Sequence, residues 1–163
     1  MAETELELRS AEEADLPTIV ALLVDDPLGA RREDASEELA SDYRTAFQAI
    51  AADDDDNHDL LVADIEGYVV GVLQLSFIPH LTYKGGWRAQ IEGVRVAEEV
   101  RSRGVGQALF DEAIARAKRK GCHLVQLTTD RRRPEALKFY LRLGFKATHD
   151  GLKLHLSPTS QAP

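Results

Sequence analysis

Arg101-Ser102-Arg103-Gly104-Val105-Gly106 stands between an apolar run that ends at Val96 and an amphipathic run from Val105 to Lys120. Strand, glycine-bearing turn and helix, in that order, make a cradle for a pyrophosphate. The first turn of a helix leaves N–H groups without partners and carries a partial positive charge, and both attract phosphate oxygens. Gly104 and Gly106 let the backbone approach those oxygens with no Cβ in the way. Two glycines alone are a weak signal. Their place between a strand and a helix gives them weight.

Working outward, Gln90 to Val96 reads as the strand before the turn. The helix after it directs Val105, Leu109, Phe110, Ala113 and Ala117 toward a core, and Gly121 closes it. Leu124 to Thr128 reads as a further strand. Pro134 opens a short helix that carries Ala136, Phe139 and Tyr140 and stops at Gly144. Two weak strands, near Phe145 and over Leu152 to Leu156, complete the C-terminal part. Upstream, Leu6 to Arg9 alternates as a first strand. Ser10 with Glu13 forms a capping box for a helix bearing Ile19, Leu22 and Leu23. Asp25 to Gly29 breaks that helix. Asp34 to Ala52 repeats Leu39, Tyr43, Phe47 and Ile50 at helical spacing. Leu60 to Ile65 and Val69 to Ile78 pair as a hairpin through Glu66-Gly67-Tyr68, and Pro79 ends it. The order β-αα-βββ-α-β-α-ββ predicts an α/β or α+β sheet with helices on both faces.

With 163 residues and no dividing linker, residues 1–156 read as one domain, and Ser157 to Pro163 as a disordered tail. Residues 1–87 carry 5 Lys and Arg against 20 Asp and Glu, whereas residues 88–163 carry 15 against 8. Opposite halves in one body point to two ligands of opposite sign. The acidic total and the lack of an aromatic-interleaved basic stripe argue against a nucleic-acid binder. No stretch is long and apolar enough to span a membrane, and no apolar leader stands at the N-terminus, so a cytoplasmic protein is expected. Cys122, the only cysteine, reads as a small buried residue at a strand start and agrees with a reducing compartment. Asp53 to Asp56 lacks the alternation and glycine of a calcium loop and reads as solvated. No His, Cys and Asp set has metal-ligand spacing, so no metal is expected.

Three segments together resemble the GNAT superfamily of acyl-CoA-dependent N-acetyltransferases. Arg101 to Gly106 fits the family's Arg/Gln-x-x-Gly-x-Gly/Ala motif, and Ile91 to Val96 fits the strand before it. Ala136-Leu137-Lys138-Phe139-Tyr140-Leu141-Arg142-Leu143-Gly144-Phe145 fits its closing Ala-x-x-Phe-Tyr-x-x-x-Gly-Phe segment. The resemblance implies a mixed, mostly antiparallel sheet of six to seven strands, splayed where two central parallel strands part. It implies acetyl-CoA as cosubstrate in that gap, with Val94, Arg95 and Val96 along the pantetheine. Arg101, Ser102, Arg103, Gly104, Val105, Gly106 and Gln107 would hold the pyrophosphate, and Phe139 would line the site. Thr129 stands where relatives often carry an amide that reaches the pantetheine. Arg101 and the run Arg131-Arg132-Arg133 are expected near the phosphates or, failing a ligand, in a solvated loop. A homodimer is common among such proteins.

Acyl transfer to an amine needs a path for the amine proton, donors for an oxyanion and an acid for the departing thiolate. Alone, Tyr140 is a packed aromatic on an amphipathic helix; the motif makes it the candidate acid. Glu92 is the candidate base, directly or through water, on the reasoning that it shares strand parity with Val94 and Val96. A Gly93 bulge would upset that reasoning. His80 and Tyr83 stand at the expected acceptor mouth, where His80 reads as a loop residue. Asp25, Asp26, Glu33, Asp34, Glu37 and Glu38 would make the mouth acidic, which suits a small cationic primary amine. The alternatives are a peptide amine as acceptor and an acyl-CoA-binding module without catalysis.

Overall fold

The computed structural model describes residues 5–36 and 40–156. Leu39, Glu37, Glu38 and the tail 157–163 lie outside the described residues. The elements in order are β1 (Leu6–Ser10), α1 (Leu16–Val24), α2 (Ala40–Ala51), β2 (His58–Ile65), β3 (Tyr68–Pro79) and α3 (Thr82–Gly85, one turn). Then come β4 (Trp87–Val96), α4 (Val105–Arg119), β5 (Cys122–Leu127) and α5 (Pro134–Arg142). The sheet runs β1-β2-β3-β4-β5, antiparallel throughout except for the parallel β4–β5 pair. Among the described residues no helix is long and apolar enough to cross a membrane.

Period-two alternation sorts the sheet's side chains to two faces. Leu61, Ala63, Leu73, Leu75, Ala89 and Ile91 meet Val105, Leu109, Phe110, Ala113 and Ala117 of α4 in the larger cluster. Val62, Val69 and Val72 meet Ile19 of α1 in a smaller one on the opposite face. The β2–β3 turn uses Glu66 and Gly67 at φ 53° and 84°, the left-handed pair that matches the twist of a tight hairpin. Phe110 of α4 holds α5 in place: its ring lies 5.6 Å from Phe139, 5.5 Å from Tyr140 and 5.9 Å from Phe145, centroid to centroid. Aromatic packing at these separations adds to the area it buries.

The structure departs from the sequence reading in four places. Ser10 ends β1 instead of capping a helix; Asp15 Oδ2 takes the Glu12 N–H at 2.8 Å, and α1 begins at Leu16 with Pro17 in its first turn. Asp34 to Ser36 is not helical, because Asp34 Oδ1 captures the Ser36 N–H at 2.8 Å in a local turn. The sheet has five described strands, not six or seven. Phe145 and Leu152 to Leu156 form no ladder, and Leu152, Leu154 and Leu156 are exposed, so alternation there finds no neighbour to pair with. The parallel pair is consequently at the sheet's end, not its centre.

Arg9 ties three elements together. Its guanidinium donates to both oxygens of Asp15, at 2.7 and 3.1 Å, and to Asp64 Oδ2 at 2.8 Å. Asp64 is buried on β2 and also accepts the Gly67 N–H at 2.7 Å. The Arg9 hydrogen bond holds Asp15 below the ordinary carboxylate range against the opposing effect of burial, and the two carboxylates push Arg9 further up. Because the Asp15 pKa is depressed in the fold, its contribution is present at neutral pH and lost as pH falls through the folded value. Arg9→Ala should cost about 2 kcal/mol, between an exposed and a buried pair. It should also flatten the loss of stability below about pH 4, read by urea denaturation at pH 7 and pH 3.5.

Candidate active site

The site begins where β4 and β5 stop pairing. Their parallel register runs from Trp87 opposite Cys122 to Ile91 opposite Leu127, and the rest of β4, 92–96, has no β5 partner. On its other side β4 carries a bulge. Gln74 faces Glu92 and Val72 faces Arg95, so two β4 residues, Gly93 and Val94, oppose Leu73. Gly93 takes φ 63° in open space, a conformation that favours glycine. The extra residue shifts the alternation. Val94 and Val96 pack against the α4-side cluster, whereas Arg95 turns to the opposite face and meets Asp26.

The opening leads into a cleft of about 1100 Å³ bounded by β4, the start of α4, α5 and the segment after α1. Val94, Arg95, Val96, Arg101, Ser102, Gly104, Gly106, Gln107 and Phe139 line it, as does Tyr140. At the start of α4 the first helical bond joins the Ala108 N–H to Gly104 O at 2.9 Å. The N–H groups of Val105, Gly106 and Gln107 therefore precede the helical ladder. Gly104 adopts φ 85°, and a Cβ on Gly106 would come within 3.4 Å of the Phe139 ring. Arg103 and Val105 do not line the cleft; the Arg103 backbone N–H donates to Val100 O at 3.2 Å, and the Val105 side chain is buried in the core.

Other candidates fall elsewhere. Thr129 does not line the cleft; Arg133, immediately before α5, is the residue of that loop that does. Arg131 pairs with Asp150 at 3.2 Å and Arg132 with Asp130 at 2.8 Å, so the arginine run is split. Arg101 Nε donates to Val96 O at 3.2 Å. Glu92 is exposed and outside the cleft lining, and the bulge removes the parity it was expected to share with Val94 and Val96. His80 Nδ1 lies 3.1 Å from Ile78 O, and Tyr83 stacks on His123 at 4.7 Å; neither lines the cleft.

Two features of the inner cleft escaped the sequence reading. Tyr140 is half-buried, and burial raises its phenol, with the charges of Arg133 and Arg95 pulling the other way. Asp26, expected as a free acidic group, is in contact with both Arg133 and Arg95, the latter at 3.6 Å. Burial opposes its ionisation, but the Gly29 N–H at 2.6 Å and the two guanidinium groups prevail and hold it below the ordinary range. Burial also lowers Arg95, Arg133 lowers it further, and Asp26 only partly compensates. The one legible signal was an arginine inside the otherwise apolar Val94-Arg95-Val96. Of the remaining acidic groups, Glu33 accepts the Tyr43 hydroxyl at 2.9 Å.

Residues 17–145 match the family model described as the acetyltransferase (GNAT) family. The aminoalkylphosphonate N-acetyltransferase of Salmonella typhimurium (strain LT2) is 31% identical over 107 residues, covering 66% of this chain and 68% of that protein. A solved structure described as a transcriptional regulator from Bacillus halodurans C-125 is 49% identical, with a TM-score of 0.89 over 93% of this chain and 100% of that one. An acetyltransferase from Trypanosoma brucei is 27% identical, with a TM-score of 0.75 over 93% and 100%.

Gly104→Ala should destabilise the protein by about 1 kcal/mol through backbone strain alone, since no atom lies within 4 Å of the added methyl. Gly104→Asn, which tolerates the left-handed region better, should lose less. Thermal unfolding of the two variants beside the parent checks the order.

Proposed function

The chain belongs to the acetyltransferase (GNAT) family and is an N-acetyltransferase, and on that premise we propose that it moves an acetyl group from acetyl-CoA to the primary amine of a small acceptor. In this reading residues 1–156 are one transferase domain. The observation that carries it is the release of β4 from β5 beyond Ile91 and Leu127, directly beside the Gly104–Gln107 helix start and Tyr140. Beyond Ile91 the extended backbone of β4 has no β5 partner and is suited to the pantetheine amides, with Val94 O and Val96 O already accepting from Arg95 and Arg101. The unpaired amides of Val105, Gly106 and Gln107 suit the pyrophosphate, and Arg101 stands nearby as a counter-charge. Gly106 keeps the space between helix and Phe139 open for the cofactor.

The amine nitrogen attacks the thioester carbonyl carbon directly. The C–N bond forms, the carbonyl oxygen becomes an oxyanion, and a backbone N–H near Val94 is placed to hold it. Collapse of the intermediate breaks the C–S bond, and the Tyr140 hydroxyl donates its proton to the leaving thiolate. A phenol kept protonated by burial suits that step. The amine's own proton leaves through water to Glu92, which is exposed on the open stretch of β4. A small acceptor is favoured over a peptide, since Tyr140 shares one cleft with the segment after α1. The name of the Salmonella relative, which specifies an aminoalkylphosphonate, supports the same preference. The inner cleft does not favour a cationic acceptor, because Asp26 is already engaged by two arginines.

Thiol release from acetyl-CoA with a panel of small amines tests the reading; no acetylation of any amine would defeat it. Tyr140→Phe should lower kcat about 100-fold with little change in the KM for acetyl-CoA. Because burial raises the phenol above its ordinary value near 10, kcat should show no alkaline loss below about pH 10. Glu92→Gln should lower kcat/KM for the amine roughly tenfold near neutral pH and less at high pH, where the amine arrives as free base.

A further inference from the structure

The inner wall of the cleft carries more positive charge than its own partners neutralise. Arg95 from β4 and Arg133 from the loop before α5 converge on one carboxylate, Asp26. Arg32 and Glu33, the next charges felt by Arg95, oppose one another, and Glu33 is bonded by Tyr43. Asp25, also at the cleft, is exposed to water. The Arg95 side chain is 13% exposed, yet its fork is poorly used. Nη1 donates to Val94 O at 2.7 Å, Nη2 is 3.6 Å from Asp26, and Nε is buried with no acceptor. Nη2, with no hydrogen bond among the described residues and only a long approach to Asp26, keeps donor capacity that an anion in the cleft can use.

The place of this pair separates it from the donor cradle. Gly104 to Gln107 and Arg101 are at or just before the start of α4, whereas Arg133 directly precedes α5, which carries Tyr140, and Arg95 meets it across Asp26. Arg95 also points to the α1 face, away from Val94 and Val96, which pack toward α4. The excess charge therefore stands beside the reacting end of the cleft, on the acceptor's side.

Resting on the proposed transfer to a small amine, we infer that the acceptor also carries an anionic group, a carboxylate or a phosphate, which docks on Arg95 and Arg133 while its amine faces the thioester. Two guanidinium groups hold the anion by paired N–H donors, and Asp26 keeps them in position when the cleft is empty. A carboxylate and a phosphate differ in charge and reach, so the two classes are separated by affinity.

Calorimetric titration of the protein with β-alanine, ethanolamine phosphate, ethanolamine and putrescine, with CoA saturating the donor cradle, tests the inference without requiring turnover. The expected result is binding of one or both anionic amines at least tenfold tighter than of ethanolamine, and weaker still for putrescine. Arg95→Gln and Arg133→Gln should each weaken the anionic amine at least tenfold and leave acetyl-CoA affinity within twofold. Asp26→Asn, which removes the competing carboxylate, should tighten the anionic amine several-fold, a gain that misfolding cannot produce. Putrescine binding as well as the anionic amines would overturn the inference. So would a loss of acetyl-CoA affinity in the arginine variants, which would assign the pair to the donor. Anion binding without acetyl transfer would defeat the proposed function and leave this inference standing.

Discussion

A parallel pair of strands that separates partway along its length is the constraint on which the rest of this molecule depends. From Trp87 to Ile91, β4 satisfies its backbone against both neighbours; from Glu92 onward it has β3 alone. Unpaired backbone at a sheet's interior edge must be solvated or bonded by something else. The turn at 101–104 delivers α4 to that opening with its own unpaired N–H groups, and Phe110 fixes α5 and Tyr140 beside it. Two kinds of unsatisfied backbone thus share one cleft, one suited to amides and the other to an anion.

The bulge at Gly93 has an effect out of proportion to one residue. It turns Val94 and Val96 toward α4 and sends Arg95 through to the α1 face, where Asp26 and Arg133 meet it. A regular strand would leave this guanidinium on the α4 side, toward the apolar cluster of Leu109, Phe110 and Ala113. The bulge therefore sets both the path along β4 and the charge opposite it.

Much of the frame was legible in the sequence because its signals are local. Gly104 and Gly121 bracket α4, Glu66-Gly67 specifies the β2–β3 turn, and the apolar period of α4 names the residues that are buried. The misplaced residues depend on pairings that no local pattern encodes. The parity expected to join Glu92 to Val94 and Val96 fails because alternation counts residues and a bulge adds one. Of the loop candidates, Arg133 lines the cleft and Thr129 does not, and the partner of Arg133 is Asp26, 107 residues away in sequence. Leu152 to Leu156 has the alternation of a strand, but among the described residues it pairs with no strand and its leucines are exposed.

The two apolar clusters lie on opposite faces of the sheet, and they divide the work. The larger cluster supports α4, α5 and the strand end proposed as the donor side; the smaller one, built from Ile19, Val62, Val69 and Val72, supports α1, which leads to Asp26 on the proposed acceptor side. Residues that share no partners change stability nearly independently. Substitutions that shift α1 over the smaller cluster can reshape the acceptor side while the donor side keeps its packing. For a lineage under selection for a new amine, that separation makes acceptor preference the readily heritable variable and cofactor use the conserved one.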